Sequence, residues 1–125
     1  MGERALDILI ADDEPDARLT LRLLLEREGF TVRTAADGHE ALKLQKERPA
    51  DVLITDIFMP DSDGMETIAG FRKDYPQTRI VVVSGAARRP KSDYLETARL
   101  LGADLALKKP VEIQELVREL RGLAG

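Results

Sequence analysis

Leu6-Asp7-Ile8-Leu9-Ile10-Ala11-Asp12-Asp13-Glu14-Pro15-Asp16 reads in succession as a strand, an acidic strand end and a helix start. Leu6 to Ala11 is a short aliphatic run of the kind that fills a strand covered on both faces. Asp13-Glu14-Pro15-Asp16 then opens a helix, because proline is tolerated in a first turn and acidic side chains suit the positive end of the helix dipole. That helix is expected to run to about Glu28, with Gly29 as its stop.

The same alternation continues along the chain. Thr31 to Ala35 forms the second strand, and Asp37-Gly38 opens a helix carrying Ala41, Leu42 and Leu44 that Pro49 ends. Asp51 to Asp56 is the third strand. The segment Phe58-Met59-Pro60-Asp61-Ser62-Asp63-Gly64 is dense in turn residues and is expected to be a loop, before a helix from about Met65 to Asp74. Arg79 to Ser84 is the most β-prone segment, followed after Gly85 by a basic loop and a helix near Ser92 to Leu101, stopped by Gly102. Leu105 to Leu107 makes a fifth strand, and Val111 to Leu123 closes the chain with Ile113, Leu116, Val117 and Leu120 at helical spacing.

Strands that alternate with helices need crossover connections, so the expected class is α/β: a five-stranded parallel sheet with helices on both faces. A solenoid of the same period is disfavoured because the units share no side-chain signature. The length of 125 residues suits one domain, read as residues 1–125 with a core of about 7–123 and no output domain.

Composition narrows the function classes. Apolar residues make up 43% and charged residues 34%, which fits a globular chain and excludes a disordered one. Without cysteine there is no disulfide framework, thiolate zinc site or thiol nucleophile, in keeping with a cytoplasmic setting. The net charge of -4 argues against direct nucleic-acid or anionic-membrane binding. No window approaches the roughly 18 apolar residues of a membrane span, and the first residues lack a signal-peptide core. Gly2 does not open a myristoylation motif, since Leu6 stands where Ser or Thr is needed.

In open parallel sheets the chemistry lies beyond the carboxyl ends of the strands, near the point where strand order reverses. The residues there are Asp12 and Asp13 after the first strand, Asp56 ending the third, Ser84 ending the fourth, and Lys109 before Pro110 after the fifth. The second strand brings nothing comparable and is expected at the sheet margin. Singly, Asp13 reads as a helix cap, Ser84 as a strand-end hydroxyl and Lys109 as a solvated charge. Together they differ. In a flavodoxin-like order 2-1-3-4-5 the first and third strands adjoin, so Asp12, Asp13 and Asp56 fall a few ångströms apart and repel unless a cation sits among them. Lys109 supplies one positive charge, and a hard divalent ion such as Mg2+ would supply the rest. A carboxylate beside a metal, a lysine and a hydroxyl is equipped for phosphoryl transfer with Asp56 as nucleophile.

These residues resemble the response-regulator receiver domain of two-component signalling, from about Asp7 to Leu123, and in size and layout the stand-alone chemotaxis type. The resemblance rests on Ile10-Ala11-Asp12-Asp13-Glu14, on Leu53-Ile54-Thr55-Asp56-Ile57-Phe58-Met59-Pro60 ending at Gly64, on Val83-Ser84-Gly85-Ala86, and on Gly102-Ala103-Asp104 with Lys109-Pro110. It implies that Asp56 accepts phosphate from a sensor histidine kinase or a histidine phosphotransfer protein. It further implies that Asp13, Asp56 and the backbone carbonyl of Phe58 bind Mg2+, that Asp12 reaches the ion directly or through water, and that Ser84 and Lys109 contact the phosphoryl oxygens. The output it implies is protein binding by a monomer or weak dimer in the cytoplasm, with no catalysis beyond self-phosphorylation and slow self-dephosphorylation.

Some positions depart from the family. The aromatic often found three residues before the lysine is Ala106 here, so an aromatic switch is expected to be absent. The connection from Ser84 to Gly102, which contains Ala87-Arg88-Arg89-Pro90-Lys91-Ser92, is somewhat longer than in the chemotaxis regulator, and its three basic residues read as a solvated loop, with partner contact as the alternative. Phe58 and Ala86 offer no side-chain group to orient an attacking water, so slow dephosphorylation is expected. His39, the only histidine, is expected to be an exposed helical residue. The first helix carries Leu21, Leu24 and Leu25 on one face and Leu19 and Leu23 beside it, more than one core contact requires. In the family this helix docks against the helices that carry the donor histidine, so exposed leucines would serve partner recognition, with ordinary core packing as the alternative.

Two other classes compete. A Mg2+-dependent aspartyl-phosphate phosphohydrolase of the haloacid-dehalogenase type would place an aspartate where Phe58 stands. A non-phosphorylated receiver-like interaction module is disfavoured by the intact set Asp12, Asp13, Asp56, Ser84 and Lys109. An FMN role lacks a Ser/Thr-rich phosphate loop after the first strand.

Overall fold

The structure, a computed structural model, describes residues 5–59, 62–85 and 93–124, without the side chains at 58, 59, 62, 63, 84, 85, 93–95, 97 and 124. Five strands form the main sheet: β1 (Asp7–Ala11), β2 (Thr31–Ala35), β3 (Val52–Asp56), β6 (Arg79–Gly85) and β7 (Leu105–Lys109). All neighbours are parallel and the order is β2-β1-β3-β6-β7, which is 2-1-3-4-5 counted within this sheet. The helices are α1 (Pro15–Arg27), α2 (Gly38–Glu47), α3 (Gly64–Asp74), α4 (Asp93–Leu101) and α5 (Ile113–Ala124).

One expectation is corrected. The segment after Asp56 is not wholly irregular, because β4 (Phe58–Met59) and β5 (Ser62–Asp63) pair antiparallel with Phe58 opposite Asp63 and Met59 opposite Ser62. Two residues between pairing strands is the shortest common hairpin spacing; those two, Pro60 and Asp61, lie outside the described residues, as do Ala86 and the basic segment 87–92. α3 also starts one residue earlier than expected, at Gly64.

The alternation of strand side chains splits the core into two layers. Ile8, Ile10, Val32, Val52, Ile54, Val81 and Val83 face Leu25 of α1 and Leu116, Val117 and Leu120 of α5. Leu9, Ala11, Leu53, Ile80 and Val82 face Ala41 of α2, Ile68 and Phe71 of α3 and Ala98 of α4. Burial on both sides explains the unbroken apolar runs Ile8–Ala11 in β1 and Val52–Ile54 in β3. β2 lies at the margin.

Local chemistry sets the helix ends. α1 has Pro15 in its first turn and ends at Arg27, with Glu28 as its cap and then Gly29, whose φ of 100° suits glycine. α2 starts with a reciprocal cap in which the Asp37 carboxylate accepts from the Glu40 amide and the Glu40 carboxylate accepts from the Ala36 amide. The opposite, amino-terminal edge of the sheet is closed by buried polar pairs. The Gln45 amide donates to the Thr78 hydroxyl at 2.9 Å and accepts from the Ala50 amide at 2.8 Å. Among the described residues no helix is long and apolar enough to cross a membrane.

Candidate functional site

Parallel pairing brings the carboxyl ends of β1, β3 and β7 to one edge. Ala11 is in register with Thr55, so Asp12 and Asp56 are the next residues on adjacent strands. Each is buried, although a carboxylate is seldom so placed without a partner. One carboxylate oxygen from each of Asp12, Asp13 and Asp56 falls within a cluster 4.8 Å across, with Asp13 the most solvent-open of the three. The expected convergence of the acidic trio is therefore present, and an all-oxygen donor set of this kind suits a hard divalent cation such as Mg2+.

Lys109 ends β7 and reaches across the edge. Its ammonium donates to Asp56 at 2.7 Å and to Asp12 at 3.2 Å. Burial opposes the charge on Lys109, but the hydrogen bond and charge of Asp56, followed by those of Asp12, outweigh it and raise its pKa above the ordinary lysine value. The lysine thus remains a cation and holds two buried carboxylates together.

Asp12 is fastened at every polar group. Its amide donates to the Ala35 carbonyl at 3.1 Å, extending the ladder to the margin strand. Oδ1 accepts from the Glu14 amide at 2.9 Å, and Oδ2 accepts from Lys109. Its carbonyl accepts from Nη1 of Arg18 at 2.7 Å. Arg18 did not emerge from the sequence reading; its signal is a basic residue one turn into the helix that starts at the acidic pair, the place from which a long side chain can return to the strand end.

Gly64 fixes the segment after Asp56. Its amide donates to the Ile57 carbonyl at 3.1 Å. A Cβ there would lie 2.5 Å from the Ile57 carbonyl oxygen and 2.7 Å from that of Asp56, so only glycine allows α3 to start against this backbone. Phe58, expected to lend its carbonyl, opens β4 just past Asp56. Ser84 lies in β6 opposite Lys108, one position beyond the residue paired with Asp56; its hydroxyl is outside the described side chains.

Elsewhere, His39 is exposed on α2. Ala106 is buried in β7, at the position where an aromatic was expected to be missing. On α1, Leu25 is fully buried and Leu21 packs against the core, whereas Leu19 and Leu23 are 53% and 55% exposed. The apolar surplus of α1 is therefore a pair of solvent-facing leucines one turn apart, with Leu19 directly after Arg18.

The profile of the response regulator receiver domain matches residues 8–121. The transcriptional regulatory protein TrcR of Mycobacterium tuberculosis is 38% identical over 93% of the chain, and the chain spans 44% of that protein. A 14.6 kDa protein from the sodA1 3′ region of Leptolyngbya boryana is 34% identical over 90% of the chain, which spans 86% of it. Among solved structures, the chemotaxis protein CheY4 of Vibrio cholerae superposes with a TM-score of 0.87 at 28% identity, covering 96% of this chain and 99% of its own. With the family match covering residues 8–121, a parallel sheet in the order 2-1-3-4-5 and an acidic trio of which Lys109 bonds two members, the chain belongs to the response-regulator receiver family of two-component signal transduction.

Proposed function

We propose that Asp56 is the phosphoacceptor and that it takes its phosphoryl group from a phosphohistidine of a sensor kinase or histidine phosphotransfer protein. The observation that carries this reading is the Asp56 carboxylate at the carboxyl edge, held 2.7 Å from Lys109 and clustered with Asp12 and Asp13. In the transfer a carboxylate oxygen of Asp56 bonds to phosphorus as the phosphorus–nitrogen bond of the donor breaks, and the imidazole leaves with the electron pair. Asp12, Asp13, Asp56 and the carbonyl of Phe58 would hold Mg2+, which supplies positive charge to the phosphoryl oxygens and the acidic trio. Lys109 shifts its hydrogen bonds from carboxylates toward the incoming phosphoryl group, and the Ser84 hydroxyl donates to one of its oxygens. Because Phe58 stands where a phosphohydrolase of this type would place its acid–base aspartate, we read the chemistry as self-modification rather than multiple-turnover hydrolysis.

Leu19 and Leu23 offer the kinase or phosphotransfer partner an apolar contact beside the site, and this partner sets the work of the domain in the cytoplasm. Output then passes to a protein effector. Incubation with acetyl phosphate and Mg2+, followed by borohydride trapping and peptide mapping, should label Asp56, with Asp56→Asn unlabelled. Labelling at another residue, or none with several small donors, overturns the assignment. Turnover of phosphomonoesters would support the phosphohydrolase alternative instead.

A further inference from the structure

We propose that Arg18 is a positioning residue for the metal-binding acidic pair, acting through the peptide group that joins Asp12 to Asp13; the proposal rests on the Mg2+ site described above. The argument begins with a difference between the two aspartates. The Asp12 carboxylate is gripped by the Glu14 amide on one oxygen and Lys109 on the other. Among the described residues, no hydrogen bond or ion pair holds the Asp13 side chain. Its direction is therefore set by its backbone, and that backbone begins with the peptide whose oxygen is the Asp12 carbonyl.

This peptide lies past the end of β1, where the sheet ladder no longer fixes it. Its carbonyl is also not taken up by α1, whose first helical residue is Pro15, with the Arg18 amide bonded to the Glu14 carbonyl. The guanidinium of Arg18 supplies the missing partner at 2.7 Å, a charge-assisted bond from a planar donor anchored one turn into a helix. A rotation of the peptide would break that bond and swing Asp13 away from Asp12 and Asp56. Preorganising a ligand in this way lowers the ordering cost of binding. Arg18 thus acts on Asp13 from behind, without touching a carboxylate oxygen of the trio.

The test is Mg2+ affinity by titration calorimetry, together with amide exchange of residues 12–14 in metal-free protein. Arg18→Ala should weaken Mg2+ binding by about tenfold, the low end for loss of a partner supporting a metal ligand, and should speed exchange at Glu14, whose amide is bonded to the Asp12 carboxylate, while the amides of β3 and β6 remain protected. Arg18→Lys, which keeps the charge and one donor, should recover part of the affinity. Arg22→Ala breaks an exposed ion pair with Glu26 on the same helix and should leave affinity unchanged. Should Arg18→Ala fail to fold, Arg18→Gln gives the same reading. Wild-type affinity in the Arg18 variants, with affinity lost in Asp13→Asn, overturns the positioning role alone. A wild-type protein that takes up no Mg2+ overturns the site assignment and this role with it.

Discussion

The ammonium of Lys109 stands 2.7 Å from a carboxylate oxygen of Asp56, and the two residues are 53 positions apart in the chain. The same ammonium reaches Asp12, so one cation joins the ends of three strands and offsets two buried carboxylates. Removing it as Lys109→Met leaves two like charges facing each other with little water. Breaking a buried pair by deleting one partner costs about 3–5 kcal/mol, and less where the lysine is partly solvated as here. We expect Lys109→Met to lower stability by about 1–3 kcal/mol without metal. Mg2+ should then stabilise the variant more than the wild type, because the ion replaces the lost charge. Urea denaturation with and without Mg2+ measures both, and an equal Mg2+ effect in the two proteins contradicts the expectation.

Two glycines separate close approach from simple helix propensity. Gly64→Ala drives a methyl group against the backbone of Asp56 and Ile57, where no side chain can give way. The expected cost is about 1–3 kcal/mol, as for overpacking elsewhere, with reduced acetyl-phosphate labelling of Asp56. Gly122→Ala meets open space within α5 and should stabilise the protein by up to about 1 kcal/mol with labelling unchanged. Thermal denaturation and labelling of both variants would show the contrast.

At the opposite edge of the sheet, Gln45 is fully buried and satisfied at both ends of its amide. Gln45→Ala leaves the buried Ala50 amide without its acceptor and opens a void, an expected loss of about 2–4 kcal/mol. Mg2+ affinity should stay at the wild-type value, since the network ties α2 to the amino-terminal ends of β3 and β6. Calorimetric titration of the refolded variant tests that separation.

A phosphorylated receiver loses its group when water attacks phosphorus in line. Neither Phe58 nor Ala86 carries a side-chain donor or acceptor that could orient that water. The phosphorylated form is expected to persist for minutes or longer in a phosphate-release assay, and a half-life of seconds would count against this.

The sheet and the acidic edge were legible in the sequence because their signals are local. Ile8 to Ala11 is apolar at both faces and Asp12 follows it directly, while Asp56 and Lys109 end the third and fifth strands of the sheet. The two-residue strands around residues 60 and 61 were not legible: Phe58-Met59 and Ser62-Asp63 have no length over which an alternation could appear, and turn residues dominate the segment. Arg18 was equally hidden. Its role depends on a side chain returning to a carbonyl six residues earlier, and on a helix surface an arginine at that place reads as a solvated charge. The leucines of α1 were visible as a surplus, but only packing against α5 and the sheet separates Leu25, which is buried, from Leu19 and Leu23, which are not.

That separation leads to the last prediction. Leu19 and Leu23 lie on one face of α1 and contribute little to the core, so Leu19→Ser with Leu23→Ser should change stability by no more than about 0.5 kcal/mol per site. Acetyl phosphate needs only the site, and its labelling of Asp56 should be unchanged. Transfer from a phosphohistidine protein needs the apolar contact as well, and a loss of about 1–2 kcal/mol at such a contact corresponds to roughly five- to thirtyfold in transfer efficiency. Measuring both donors on the same variant isolates the surface from the chemistry: parallel loss with both donors would place the defect in the site, and unchanged transfer from the protein donor would remove these leucines from partner recognition.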